Sequence, residues 1–103
     1  MMDFLKSIFS SGPSADFKTL VEAGAVIVDV RTPGEFKQGH IKGSVNIPLD
    51  QIGTKIASLK GKNTPIITVC RSGNRSSAAA GILRNSGIEV YNGGAWDSLE
   101  ASL

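Results

Sequence analysis

The sequence predicts an α/β protein in three layers, with a mostly parallel central sheet of four to five strands and helices on both faces. Two observations support this fold class. Short apolar runs, of the kind that form strands buried on both faces, alternate along the chain with segments of helical spacing. Glycine or proline separates most of these segments, as expected where short loops join strands to helices. Because helices connect the strands, consecutive strands should be parallel.

The first half of the chain should supply two strands and three helices. β-Branched residues dominate the strands, and Ser14 and Asp50 are suited to cap the first and third helices. Pro33-Gly34 should turn the chain after the first strand. In order, the elements are a helix over residues 14–23, a strand over 25–30, a short helix over 35–38, a strand over 44–47 and a helix over 50–59.

The second half begins with the strand that should be most deeply buried. Residues 66–69 (IITV) are all β-branched, and the alanines after Asn74 recur at helical spacing up to Gly87, which can form a left-handed helix cap. The remaining elements are a fourth strand over 88–91, a tight turn at Gly93-Gly94 and a last helix over 95–102.

Cys70, the only cysteine, follows this strand directly and opens a turn into the next helix. The first N–H groups of a helix have no intrahelical acceptor and carry the positive end of the peptide dipoles, so they attract anions. A cysteine in this position beside arginine has a lowered pKa and ionises at neutral pH. Gly73 allows a turn tight enough for several N–H groups to converge on the sulfur. We therefore expect an accessible, reactive thiolate.

The loop after the cysteine should bind an anionic substrate. Arg71 is expected to point to solvent and to offset the charge of an incoming dianion. The next three residues, Ser72, Gly73 and Asn74, should act mainly through backbone N–H groups. Ser76 can donate to the sulfur or satisfy a nearby carbonyl, and the sequence favours neither.

Arg75 should lie on a helix stripe with Ala78-Ala79 and Ile82, which is expected to face the sheet. An unpaired guanidinium there would be costly, so it needs a carboxylate partner. Asp29, at the end of the first strand, and Glu35 are the candidates. With either partner Arg75 would brace the loop, and whether it also contacts substrate stays open.

The composition argues against several classes of function. A chain of 103 residues fits one domain, and a net charge of +2, from 11 basic and 9 acidic residues mixed along the chain, does not predict nucleic-acid binding. One cysteine cannot form an internal disulfide and, with one histidine, does not make a cysteine-ligated metal site. A reducing cytoplasm is therefore the expected location. The protein is also expected to be a monomer.

Residues 1–13 are expected to form an N-terminal extension, which could be a short helix, ahead of a domain over 14–103. Lys6 interrupts the apolar stretch of this extension, so it lacks the continuous core of a secretory signal. We also expect no membrane-spanning segment and no membrane partner.

Five stretches of the chain form an ordered set of motifs. They are residues 29–31 (DVR), 35–36 with 39–43 (EF and GHIKG), 46–48 (NIP), 70–75 (CRSGNR) and 91–96 (YNGGAW). Together they resemble the single-domain rhodanese-like sulfurtransferase family. In this chain, residues 70–75 match the active-site loop of that family. The resemblance covers nearly the whole chain.

The resemblance implies a two-step transfer of a sulfane sulfur. Cys70 would attack a small-molecule donor such as thiosulfate, keep its outer sulfur as a persulfide, and pass it to a thiophilic acceptor. Cyanide or a thiol, including a protein thiol, would serve as acceptor. No metal or organic cofactor is implied, because the cysteine itself carries the sulfur.

Residues outside the loop are expected to support it. In the family pattern Asp29 and Arg31 resemble scaffold residues near the site, and Glu35 has the same supporting role. His40, within the GHIKG turn, is expected to be structural rather than a general base. Trp96 is expected to belong to the core.

Two other functions fit parts of the same pattern. Cysteine-dependent phosphatases and arsenate reductases resemble Cys-x5-Arg, whereas Cys70 and Arg75 are one residue closer together, as Cys-x4-Arg. This shorter loop suits a terminal sulfur better than a phosphoryl group. A non-enzymatic sulfur-relay or binding module would keep the same loop, so the sequence does not distinguish it from an enzyme.

Overall fold

The computed structural model describes residues 17–103, and in this range four strands form one parallel sheet in the order β2-β1-β3-β4. The strands are β1 (Val26–Asp29), β2 (Val45–Asn46), β3 (Ile66–Cys70) and β4 (Val90–Ala95). The predicted α/β class with a parallel sheet is confirmed. The predictions for the extension over 1–13 and for a cap at Ser14 lie outside the described residues.

Helices cover both faces of the sheet. They are α1 (Phe17–Glu22), α2 (Pro33–Gln38), a 3₁₀ helix (Leu49–Lys55) that leads into α3 (Ile56–Gly61), α4 (Asn74–Asn85) and α5 (Trp96–Ser102). Helix α2 begins with a capping box, in which the Thr32 hydroxyl accepts a hydrogen bond from the Glu35 backbone N–H and the Glu35 carboxylate accepts one from the Thr32 backbone N–H. Pro33 occupies the first turn of this helix. In the described part of the chain, no helix is long and apolar enough to cross a membrane.

Alternation along the strands divides the core into two clusters. Val28, Ile66 and Cys70 pack on the face covered by the 3₁₀ helix, α3 and α4. Ile67 and Val69 pack on the opposite face, with α1 and α5. All five residues of β3 are buried, because this central strand has neighbours on both sides and helices on both faces. This is the predicted three-layer arrangement, and it turns the cysteine toward α4.

The buried face of α4 differs from the prediction. Ser76, Ala79, Ala80 and Leu83 are its buried residues. Ala78 is exposed, and the Ile82 side chain is 39% exposed, so the predicted stripe is rotated by about one residue. Alanine occurs on both faces of this helix, and its periodicity alone therefore does not determine which face meets the sheet.

The predicted tight turn at Gly93-Gly94 is wrong, because both glycines lie within β4. Thr68 of β3 pairs with Asn92, and the next residue, Val69, pairs with Gly94, so Gly93 is an extra, bulged residue. A Cβ on Gly93 would lie 2.8 Å from Cγ2 of Ile67 and 3.0 Å from the Thr68 carbonyl oxygen. Glycine is needed here because the backbone of β4 presses against β3.

We expect Gly93→Ala to lower the free energy of unfolding by about 1–3 kcal/mol, since the added methyl group must displace the buried Ile67 side chain or the Thr68 backbone. Urea unfolding measures this loss. Gly81→Ala is the matched control, because a Cβ there meets nothing within 4 Å and alanine favours the helix interior. Equal stability of the Gly93→Ala protein and the unmodified protein would contradict the close approach.

Candidate active site

The Cys70 sulfur lies at the carboxyl end of β3 and accepts backbone hydrogen bonds from the loop that follows. The Gly73 N–H is 2.9 Å from Sγ, and the Ser76 N–H is 3.3 Å away. Gly73 has φ +104°, a left-handed conformation that glycine adopts without strain, and it directs its N–H back toward the sulfur. The predicted convergence of N–H groups on the sulfur is present in the structure.

The predicted accessibility of this sulfur is wrong, because Cys70 is only 1% exposed. Its side chain belongs to the core cluster under α4. The sulfur that accepts the loop N–H groups is therefore almost completely shielded from solvent in this structure.

The local environment of Cys70 pulls its pKa in two directions. Burial raises the pKa of the thiol by disfavouring the charged form. The Ser76 hydroxyl and the backbone N–H groups of Ser76, Gly73 and Ser72 lower it by donating hydrogen bonds to the sulfur. The donors prevail, so the pKa lies below the ordinary value for a thiol.

Ser76 is fully buried, and its hydroxyl lies within reach of both predicted acceptors, the sulfur and a nearby carbonyl. Its Oγ lies 3.4 Å from Cys70 Sγ and 3.0 Å from the Gly73 carbonyl oxygen. A third neighbour, Oδ1 of Asn92, is closer still at 2.6 Å. The Ser76 carbonyl also accepts a hydrogen bond from the Thr68 hydroxyl at 2.8 Å, which ties the first turn of α4 to β3.

Of the two partners predicted for Arg75, the structure contains Glu35. The guanidinium donates to both carboxylate oxygens, at 2.8 and 3.1 Å, and about a third of each side chain is exposed. Hydrogen bonds from Arg75 and from the Thr32 backbone lower the pKa of Glu35 to about 2. The pair is therefore charged at neutral pH and links the loop to α2.

Asp29 pairs instead with Arg31, two residues along the chain. The Arg31 backbone N–H, Nε and one terminal nitrogen all donate to the Asp29 carboxylate, with a shortest distance of 2.7 Å. Both residues are buried, with Asp29 at 0% exposure. The same arginine donates to the Gly39 carbonyl oxygen at 2.6 Å and stacks 4.7 Å above the centre of the Trp96 ring.

A cleft of about 360 Å³ opens beside the loop at Arg71. It is lined by polar and charged side chains and one aromatic ring, from Arg31, Glu35, Gln38, Gly39, Arg71, Trp96 and Asp97. Arg71 is exposed, as predicted. Trp96 packs partly on the core, as expected, and also forms a wall of the cleft. The sequence does not predict Gln38 and Asp97 as site residues, because an exposed polar residue carries no signal that separates a cleft from ordinary surface.

The remaining predicted residues lie around this arrangement. The side chains of Ser72 and Asn74 are exposed. Of these two residues, Ser72 acts on the sulfur, through its backbone N–H. His40 stacks on Phe36 at 3.7 Å, and its Nδ1 lies 2.8 Å from the Phe36 carbonyl oxygen, which supports the structural role proposed for it. Asn92 was missed as a site residue, although it belongs to the YNGGAW motif that carried the family resemblance.

Comparisons with known proteins point to one family of domains. Residues 14–97 match the family model of the rhodanese-like domain. Thiosulfate sulfurtransferase GlpE of Stutzerimonas stutzeri is 38% identical over 85 residues, which cover 82% of this chain and 77% of that protein. The uncharacterized protein YqhL of Bacillus subtilis is 41% identical over 69 residues, 66% of this chain and 54% of its own length.

One solved structure has the same fold within a much larger chain. Reduced CoADR-RHD from Bacillus anthracis superposes with a TM-score of 0.72 and 36% identity, covering 84% of this chain and 15% of that one. The chain thus spans about half of the Bacillus subtilis relative and a small part of CoADR-RHD.

Proposed function

Because this chain belongs to the family of rhodanese-like domains, we propose that it is a sulfurtransferase that moves a sulfane sulfur through a persulfide on Cys70. The observation that carries the proposal is the pair of backbone N–H groups directed at the sulfur of the only cysteine. A relative named as a thiosulfate sulfurtransferase supports thiosulfate as the donor.

In the first half-reaction the Cys70 thiolate attacks the outer sulfur of the donor. A bond forms between the two sulfurs, the donor's own S–S bond breaks, and its electron pair leaves with sulfite. A thiolate and a dianion repel each other, so positive groups around the loop are needed to lower the barrier. In the second half-reaction an acceptor attacks the terminal sulfur, and the electron pair of the persulfide bond returns to Sγ.

Arg71 is the arginine best placed to attract the donor. The ion pairs found among residues 17–103 engage Arg31 with Asp29 and Arg75 with Glu35. Arg71 is exposed, takes part in neither pair and lines the cleft. We therefore assign substrate attraction to Arg71 and bracing of the loop to Arg75.

The burial of Cys70 favours a second candidate, a sulfur-relay module. Cys70 is only 1% exposed, and we infer that loop residues move before even a small donor meets the sulfur. A partner protein that bound the loop could move them, in which case turnover with free thiosulfate would be slow.

Intact mass spectrometry after treatment with thiosulfate tests the proposal. The sulfurtransferase should gain about 32 Da, one sulfur atom, and lose it to cyanide with release of thiocyanate over many turnovers. A relay module should gain the same mass only from a protein persulfide. A chain that gains no sulfur from either source would contradict both candidates.

A further inference from the structure

The Ser76 hydroxyl has one proton and three possible acceptors. Its Oγ lies 2.6 Å from Asn92 Oδ1, 3.0 Å from the Gly73 carbonyl oxygen and 3.4 Å from Cys70 Sγ. Ser76 is fully buried, so its hydroxyl does not donate to solvent water. A hydroxyl donates to one acceptor at a time, and the shortest contact indicates that in this structure the acceptor is Asn92.

The orientation of the Asn92 amide follows from its neighbours. Oδ1 accepts the Gly94 N–H at 3.0 Å, and Nδ2 lies 3.5 Å from the Gly73 carbonyl oxygen. A flipped amide would set two donors against each other at Gly94. These two contacts hold the Asn92 acceptor in place beside the first turn of α4.

The charge on Cys70 decides which acceptor the hydroxyl prefers. A neutral thiol can donate its own proton to Ser76 Oγ, which leaves the serine proton on Asn92. A thiolate has only lone pairs and attracts the serine proton to itself. To reach the sulfur, that proton must leave Asn92.

We propose that Asn92 is a positioning residue that holds the Ser76 proton away from Cys70 whenever the cysteine sulfur is uncharged. The hydroxyl is then a donor with two positions, one toward Asn92 Oδ1 and one toward Sγ. Asn92 touches no reacting atom and acts only through Ser76.

The consequence for sulfur transfer rests on the proposed function. In a persulfide the inner sulfur is uncharged, so the Ser76 proton stays with Asn92. When the acceptor breaks the persulfide bond, the electron pair moves onto Sγ, and the hydroxyl turns to the sulfur as this charge develops. Asn92 thereby makes the Ser76 hydrogen bond specific to the charged state of Cys70.

The ionisation of Cys70 tests the proposal without any sulfur donor, so its outcome does not depend on the proposed function. The pH dependence of thiolate ultraviolet absorbance reports this residue, since the chain has one cysteine and the Glu89 carboxylate raises the pKa of Tyr91, the one tyrosine, to about 12. Removing a competing acceptor should lower the pKa of Cys70, and Asn92→Ala is expected to do so by a few tenths of a unit to about one unit. Ser76→Ala, which removes a donor to the thiolate, should raise it by a similar amount.

The double variant separates positioning from other effects. In the Ser76→Ala protein, Asn92→Ala should no longer change the pKa of Cys70, because the route through the hydroxyl is absent. An equal shift in both backgrounds would overturn the proposal and indicate a direct effect. The charged groups of the surrounding elements are the same in all four proteins: Asp29, Arg31, Glu35, Arg71, Arg75 and Asp97.

The sign of the single Asn92→Ala shift decides the matter even if Ser76→Ala does not fold. A purely structural role predicts that a loosened loop donates less well to the sulfur and that the pKa rises. The proposal predicts that it falls, and an unchanged or raised value would overturn it. Asn92 is exposed, so this variant should fold, and Asn85→Ala at the end of α4 is the matched control.

Discussion

Cys70→Ser should lower sulfur-transfer activity by about three orders of magnitude or more, the loss expected when a nucleophile is removed. A serine hydroxyl does not ionise near neutral pH, and its oxygen cannot store a sulfur as a persulfide. Thiocyanate release from thiosulfate and cyanide measures the loss. The same protein should gain no mass on treatment with thiosulfate.

The control for this variant must separate lost chemistry from lost structure. Serine is close in size to cysteine and can accept the same Gly73 and Ser76 N–H groups, so the fold should persist and its circular dichroism should be unchanged. Ser77→Ala removes an exposed hydroxyl from α4, close to the loop, and should retain full activity. Substantial transfer by a folded Cys70→Ser protein would rule out the persulfide mechanism.

Asp29→Ala should lower the free energy of unfolding by about 3–5 kcal/mol, the usual loss when one member of a buried ion pair is removed. The Arg31 guanidinium would stay buried with the Gly39 carbonyl oxygen and the Trp96 ring as partners, which do not balance its charge. Since small domains are stable by about 5–15 kcal/mol, this is a large fraction of the total. Urea unfolding at neutral pH provides the measurement.

Arg75→Ala is the matched comparison, because it removes one member of the ion pair that is only partly buried. About a third of the Arg75 and Glu35 side chains is exposed, so water can replace the lost partner and the expected loss is below about 1 kcal/mol. Asp29→Asn, which keeps one acceptor oxygen for Arg31, should fall between the two. If Asp29→Ala and Arg75→Ala were equally destabilising, burial would not be the deciding factor.

These two ion pairs illustrate what the sequence leaves open. Both Asp29 and Glu35 are plausible partners for Arg75 when only their positions near strand and helix ends are known. The structure pairs Arg75 with Glu35, 40 residues away, and gives Asp29 to Arg31, two residues away. The choice depends on which side chains the fold brings within 3 Å of one another, and no local pattern contains that distance.

The same distinction applies to β4 and to α4. The two glycines of the YNGGAW motif are typical of a turn. Strand β3 extends beside them, however, so they continue the sheet through a bulge. The sequence predicts the ends of α4 nearly correctly, because the end of the preceding strand and Gly87 mark them. The rotation of this helix is not predicted, because alanine fits either face.

The sequence by itself determined the α/β class, the order of the elements, the family and the cysteine at a strand-to-helix turn. The family follows from the resemblance of five ordered motifs to a known pattern. The other features depend on neighbouring residues, through β-branched runs, helical spacing and the conformational freedom of Gly73. Only the tertiary structure decided that Cys70 is buried, that Glu35 holds Arg75 and that Asn92 reaches Ser76. Burial and hydrogen bonding between distant residues arise from packing of the whole chain, because each contact requires that several elements occupy their positions at once.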